Sequence, residues 1–141
     1  MPYVDNNLVL SDAQAVTATA ASTKSVDFAT ALRNVGAGQE IDLVVNVVTA
    51  CSSSTATTVT FAIQDSADNS TFTDVVVSPA VSAASLTLGA EPFRTILPRT
   101  LRRYVQVNYT VTTGALAAGA FTAYLTEDRQ DNVARPSGFT V

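Results

Sequence analysis

Histidine is absent from this chain of 141 residues. That removes the commonest general base and the commonest metal ligand. Serine–histidine and cysteine–histidine nucleophile systems are excluded with it. Cys51 is the single cysteine, so no intrachain disulfide forms and no zinc site of several thiolates can be built. With no base and no cation beside it in sequence, Cys51 reads as a small residue filling a strand end. An oxidising compartment is not required, and a reduced cytosolic origin is expected. Basic residues are scarce: eight Lys and Arg stand against twelve Asp and Glu, for a formal charge of −4. No basic run appears, so direct contact with a nucleic-acid backbone is not expected. The opening MPYVDNNLVL lacks the basic and apolar regions of a signal peptide. A long uncharged run, between Asp42 and Asp65, is broken by Ser, Thr and Asn. It reads as two strands and a loop rather than a membrane span.

What the chain does contain is Ala, Val, Thr and Ser, a composition that favours strands over helices. The clearest stretch is LRRYVQVNYTV, residues 101–111. Val105, Val107, Tyr109 and Val111 alternate with Tyr104, Gln106, Asn108 and Thr110, the period of a strand with one buried face. In residues 41–49, Ile41, Leu43, Val45 and Val47 form one row; Asp42, Val44, Asn46 and Val48 form a half-apolar second row. Both faces of that strand are therefore expected to meet something. In residues 57–64, Val59, Phe61 and Ile63 point inward. Weaker strands are expected near residues 8–10, 24–28, 72–77, 84–88 and 93–97, and a last one places Phe121, Ala123 and Leu125 inward. The Ala/Thr run at 13–22 suits a sheet edge. Residues 34–39, 51–55 and 112–119 read as connections, and 65–70 as a tight turn rich in Asp, Asn and Ser. About eight short strands, each bounded by turn signals, belong to an all-β antiparallel sandwich, jelly roll or small barrel. The chain is expected to form one domain over residues 1–141, with extended N- and C-terminal segments.

Polar clusters are few. Asp65, Asp68 and Asp74 surround the turn, but their spacing is not that of a calcium loop, so a solvated turn is expected and no metal is assigned. Gly36-Ala37-Gly38 lacks the spacing of a phosphate loop. Arg99, Arg102 and Arg103, at a strand entrance, are expected to pair with carboxylates. Glu127, Asp128, Arg129 and Asp131 read as a solvated strand end or a patch for a protein partner. A glycosidase would need two carboxylates facing one cleft, and in the three clearest strands only Asp42 falls mid-strand. In the tail, Pro136 keeps Arg135 extended, and Phe139 and Val141 gain nothing by standing in water.

The opening YVDNNLVLSDAQAVTATAAST, the middle QVNYTVTTGALAAGAFTAYL and the close LTEDRQDNVARPSGFTV resemble the cement, or decoration, proteins of tailed-phage capsids. The nearest resemblance is to the family of the Bordetella podophage cement protein. It covers nearly the whole chain and rests on structural rather than chemical motifs; Cys51 and its Ser-rich surroundings fall outside the pattern. It implies a jelly-roll-like sandwich, no enzymatic activity and no cofactor. It also implies a place on the outer surface of the virion, after synthesis in the host bacterial cytoplasm. The partners it implies are the major capsid protein, whose neighbouring subunits are clamped, and a second copy in a homodimer; neither nucleic acid nor membrane is touched directly. The candidate partner contacts are Tyr3, Val4, Arg129, Arg135, Phe139 and Val141, and the candidate dimer face is Val44 and Val48. The rival reading is a carbohydrate- or receptor-binding β-module of a phage tail. The absence of Trp and the count of four Tyr weigh against it, because such sites stack sugars on exposed aromatics.

Overall fold

The computed structural model describes residues 4–29 and 40–127. Among them ten strands form: β1 Val9–Ala15, β2 Ala20–Ala21, β3 Val26–Asp27, β4 Asp42–Ser52, β5 Thr58–Ser66, β6 Thr73–Val77, β7 Val81–Ser82, β8 Phe93–Ile96, β9 Tyr104–Thr112 and β10 Ala118–Thr126. Single 3₁₀ turns lie at Asn6–Leu8 and Ala83–Ser85. One sheet runs β1-β10-β4-β8; the other runs β2-β9-β5-β6, with β3 also on β9 and β7 also on β5. Every pairing is antiparallel. The pairs nest: β1 with β10, β2 and β3 with β9, β4 with β8, β5 with β6. A chain folded back at the β5–β6 turn and then rolled gives this nesting, which is the jelly roll.

The alternating rows supply the interior. Leu43, Val45 and Val47 of β4, Val59, Phe61 and Ile63 of β5, Val105, Val107 and Tyr109 of β9, and Phe121, Ala123 and Leu125 of β10 are all buried in one cluster. At its centre four rings interlock across the sheets. Phe61 meets Tyr109 and Phe121 edge-on, with centroids 5.9 and 5.4 Å away, while Tyr109 and Phe121 stack at 5.3 Å. Phe93 of β8 stacks with Phe61 at 6.2 Å. Burying the Tyr109 ring also buries its hydroxyl, which needs a partner. It donates to Ser11 Oγ of β1 at 2.8 Å, across the sandwich. Burial pushes the Tyr109 hydroxyl pKa up to about 12, against the smaller opposing effect of the Ser11 bond. Among the described residues no buried side-chain nitrogen or oxygen is left without a partner.

Several expectations are corrected. Cys51 and Ser52 belong to β4, not to a connection, because Ser52 pairs with Ala118 and the Cys51 N–H donates to Leu86 O. Asp65 and Ser66 belong to β5, since β9 offers register partners that far, and the turn begins after them. Residues 84–88 are a 3₁₀ turn and a bend, with β7 just before them. The strand read from residue 101 begins at Tyr104, because Arg102 is drawn to Asp65. Val44 is 2% exposed, so the chain itself covers it and it offers no dimer face. The expected loop at 34–39 lies outside the described residues.

The sheet edges are short or bent, which discourages stray strand pairing. β1 carries two register shifts and Ala13 at φ 43°; β6 carries one; β8 is four residues long between Pro92 and Pro98. Gly119 in β10 is set by a close approach: a Cβ there would meet Cys51 Sγ at 2.7 Å.

Two outcomes follow from this packing. Phe61→Ala removes the ring that all three neighbours touch and should cost about 3–5 kcal/mol in urea unfolding, whereas a loss under 1 kcal/mol would contradict the four-ring core. Gly119→Ala should destabilise by about 1–3 kcal/mol through overpacking, and adding Cys51→Ala should recover part of that loss in a double-mutant cycle. Strict additivity would mean the Cys51 sulfur is not the obstacle.

Candidate functional site

The registers define two ends. At one, Thr126 faces Asp42, Asp42 faces Ile96, Asp65 faces Thr73, and Ser66 and Asp27 both face Tyr104. At the other, Ser52 faces Ala118 and Thr58 faces both Thr112 and Ser82. Residues 13–23, 43–64, 75–90 and 104–126 contain no Asp, Glu, Lys or Arg. The loops at 16–19, 53–57 and 113–117 that close the second end therefore carry no charge. Charged side chains gather at the first end and along the strands leading to it.

The charged end is organised by two arginines. Asp65 accepts from the Arg102 backbone N–H at 2.9 Å, from Nε at 2.9 Å and from Nη2 at 2.6 Å. Arg102 Nη2 also donates to Asp65 O and to Thr73 Oγ1, tying three segments together. The Arg102 hydrogen bonds hold the Asp65 carboxyl below the usual carboxylate range, against the smaller opposing effect of burial. Arg103 grips both oxygens of Asp27, at 2.8 and 2.9 Å, and lies 5.0 Å from the Tyr104 ring centroid. Asp68 closes the adjoining turn. It accepts from the N–H groups of Thr71 and Ser70 and from Ser66 Oγ, which hold its carboxyl far below the ordinary value. The pairing expected of these arginines is thus present at Arg102 and Arg103, and it ties down the groups that would otherwise bind an anion or a metal. Among the described residues no cluster of three His, Cys, Asp or Glu is placed to hold a metal.

The uncharged end is tied by hydroxyls. Ser53 Oγ and Thr57 Oγ1 lie 2.6 Å apart, Thr55 Oγ1 and Thr57 Oγ1 2.9 Å apart. Ser53 donates to Ala115 O and Thr55 to Thr113 O. Backbone bonds from Leu116 to Thr17, Ala117 to Ser52 and Ala83 to Thr57 join the loops into one surface. Gly114 sits at φ 127°, where a Cβ would come within 2.5 Å of Thr55 Oγ1. An open hollow of about 360 Å³ lies between Ser53, Thr57 and Ala83, with Cys51 on its wall. Burial raises the Cys51 pKa, which keeps it a thiol and a poor nucleophile.

The two outer sheet faces differ. On the β9-β5-β6 face a polar row crosses three strands: Gln106 donates to Gln64 at 2.8 Å and Gln64 to Asp74 Oδ1 at 2.7 Å. On the other face Val44 and Tyr124 are nearly covered, while Val48 and Ile96 stand 40% and 51% exposed. Of the candidate contacts, Val4 is 40% exposed, and Tyr3, Arg129, Arg135, Phe139 and Val141 lie outside the described residues. Val48 remains available; Val44 does not. Leu88, read from the sequence as the end of a strand at 84–88, is 72% exposed on the bend before Gly89. The glycine after it, at φ 80°, was the available signal for a turn.

These features place the protein in the class of jelly-roll β-sandwiches. The family model described as Bbp16 matches residues 10–125, from within β1 to within β10. The chain belongs to the Bbp16 family, a name that points to a Bordetella phage protein. No curated protein matches the chain.

Asp65 sets a pH dependence. Its folded pKa lies below the unfolded value of about 3.9. The stability it contributes is therefore present above about pH 4 and is lost as pH falls through the depressed folded value. Asp65→Asn should melt earlier than wild type at pH 7, and the gap should close toward pH 2.5. A gap that does not change with pH would contradict the charge pairing.

Proposed function

We propose that this protein is a structural virion component: a capsid cement protein that binds the outer surface of an icosahedral phage shell and clamps neighbouring major capsid subunits. The observation that carries this reading is membership of the Bbp16 family over the whole sandwich. The physical design agrees with it. The sandwich is rigid, its edges are blunted, and its best-placed charges are tied to one another. Both ends of the sandwich chain, Val9 of β1 and Thr126 of β10, lie at the charged end, where Val9 faces Tyr124. Contacts made through the terminal segments would therefore start from that one side. In this reading the protein is not an enzyme, takes no cofactor, and pairs with a second copy of itself. It stands on the virion exterior and touches neither nucleic acid nor membrane.

Co-sedimentation with assembled shells that lack the protein tests this directly. Wild type should pellet with shells and saturate, and light scattering should report a dimer. Removal of residues 136–141, which takes away Phe139 and Val141, should leave the melting temperature unchanged and weaken retention or dimerisation. Earlier melting instead would mean that the tail is part of the sandwich. Retention on a glycan array with no binding to shells would overturn the cement reading in favour of a carbohydrate-binding module.

A further inference from the structure

Two side chains on the outer face of the β1-β10-β4-β8 sheet are covered where a sandwich ordinarily meets water. Val44 and Tyr124 pair across β4 and β10, and neither belongs to the core cluster, which takes the alternate residues Leu43, Val45, Ala123 and Leu125. They point away from the other sheet, yet they are only 2% and 6% exposed. Thr126, two residues on from Tyr124 and so on the same face, is buried as well. Sheet neighbours alone do not account for this. A Tyr ring stands taller than the valines on either side of it, Val9 and Val44, so they leave its top open. The described elements that meet β4 most are its neighbours β10 and β8 and the 3₁₀ turn at Ala83–Ser85. That turn lies at the other end, where Cys51 donates to Leu86 O.

The cover is narrow. Val48, further along β4, and Ile96, across from Asp42 on β8, both stand exposed. The covered strip spans the pairs Asp42–Thr126 and Val44–Tyr124, roughly 7 Å along the strands by 5 Å across them, which suits one extended segment. Its polar groups are occupied too: Asp42, Arg94 and Thr126 are each engaged beyond their strand pairing.

This burial exists within a single chain, so the cover belongs to the chain and a second copy is not required for it. Three stretches lie outside the described residues: 1–3, 30–39 and 128–141. The first two contain no Asp or Glu to face Arg94. Residues 128–135, DRQDNVAR, supply Asp128 and Asp131 for Arg94, Arg129 and Arg135 for Asp42, and Val133 for the apolar strip. They also begin two residues beyond Thr126, the last residue of β10.

We propose that residues 128–135 fold back over β10 and β4 and seat on Asp42, Val44, Arg94, Tyr124 and Thr126. The C-terminal stretch is then divided. Residues 128–135 belong to the body of the sandwich, and residues 136–141, with Phe139 and Val141, are what remains to reach a neighbour. The seat does not depend on the cement reading, and failure of either leaves the other standing.

Nitration by tetranitromethane, read residue by residue by mass spectrometry, tests the seat. In the full chain half-buried Tyr104 should react while Tyr124 and Tyr109 do not, at any protein concentration. Removing residues 136–141 should leave that pattern unchanged. Removing residues 128–141 should make Tyr124 react about tenfold faster or more, while continued protection of Tyr109 reports an intact core. The full-length double variant Asp128→Lys, Asp131→Lys sets two cations against Arg94 and should speed Tyr124 nitration about threefold or more. It decides the matter if the shortened chain does not fold. Unchanged protection of Tyr124 in a folded chain lacking residues 128–141, or in the double variant where that chain does not fold, would overturn the seat and assign the cover to residues 1–3 or 30–39. Protection that disappears when the full chain is diluted would overturn it in favour of a second copy.

Discussion

The contact between Phe61, Tyr109, Phe121 and Phe93 is what joins the two sheets into one body. Phe61 and Tyr109 come from one sheet, Phe93 and Phe121 from the other, so no ring can move without disturbing the opposite layer. Edge-to-face and offset contacts at these distances add to the area buried. The Tyr109 hydroxyl then fixes a fifth point, Ser11, and Ser11 donates on to Gln14, which bonds back to Ala21. A single buried hydroxyl thus ties β9, β10's neighbour β1 and the edge strand β2. Everything at the two ends of the sandwich depends on that register, because each end is a set of loops whose relative positions the strands decide.

The strand rows were legible because burial on one face writes a period of two into the sequence. Residues 43–47, 59–63, 105–109 and 121–125 read correctly for that reason. What was not legible is what neighbours impose. Ser52 and Cys51 look like loop residues but are carried into β4 by β10 and by the Leu86 carbonyl. Asp65 looks like a turn residue but is held in β5 by Arg102, a partner far away in sequence. Val44 reads as part of a second face awaiting a cover, yet it is already covered between Tyr124 and Arg94 of its own sheet. Leu88 reads as the end of a strand at 84–88 and stands instead on an exposed bend. In each case the missing information is the identity of a residue distant in sequence. Local patterning cannot supply that.

Charge distribution connects the fold to its use. Twelve acidic and eight basic residues could have been scattered over the surface. Instead, β9, β10 and the loops at one end carry none, and Arg102 and Arg103 at the other end are tied to Asp65 and Asp27. A protein that must associate in only one way gains from this arrangement. Charge at one end keeps it soluble and disfavours wrong contacts there, while the uncharged end can be dehydrated at low cost. Membership of the Bbp16 family points to a phage protein as the setting for that division.

Cryo-electron microscopy of the virion tests the central claim most directly. The account predicts jelly-roll density on the outside of the head, spanning neighbouring capsid subunits. Density confined to the tail, or a head surface without it, would contradict the account.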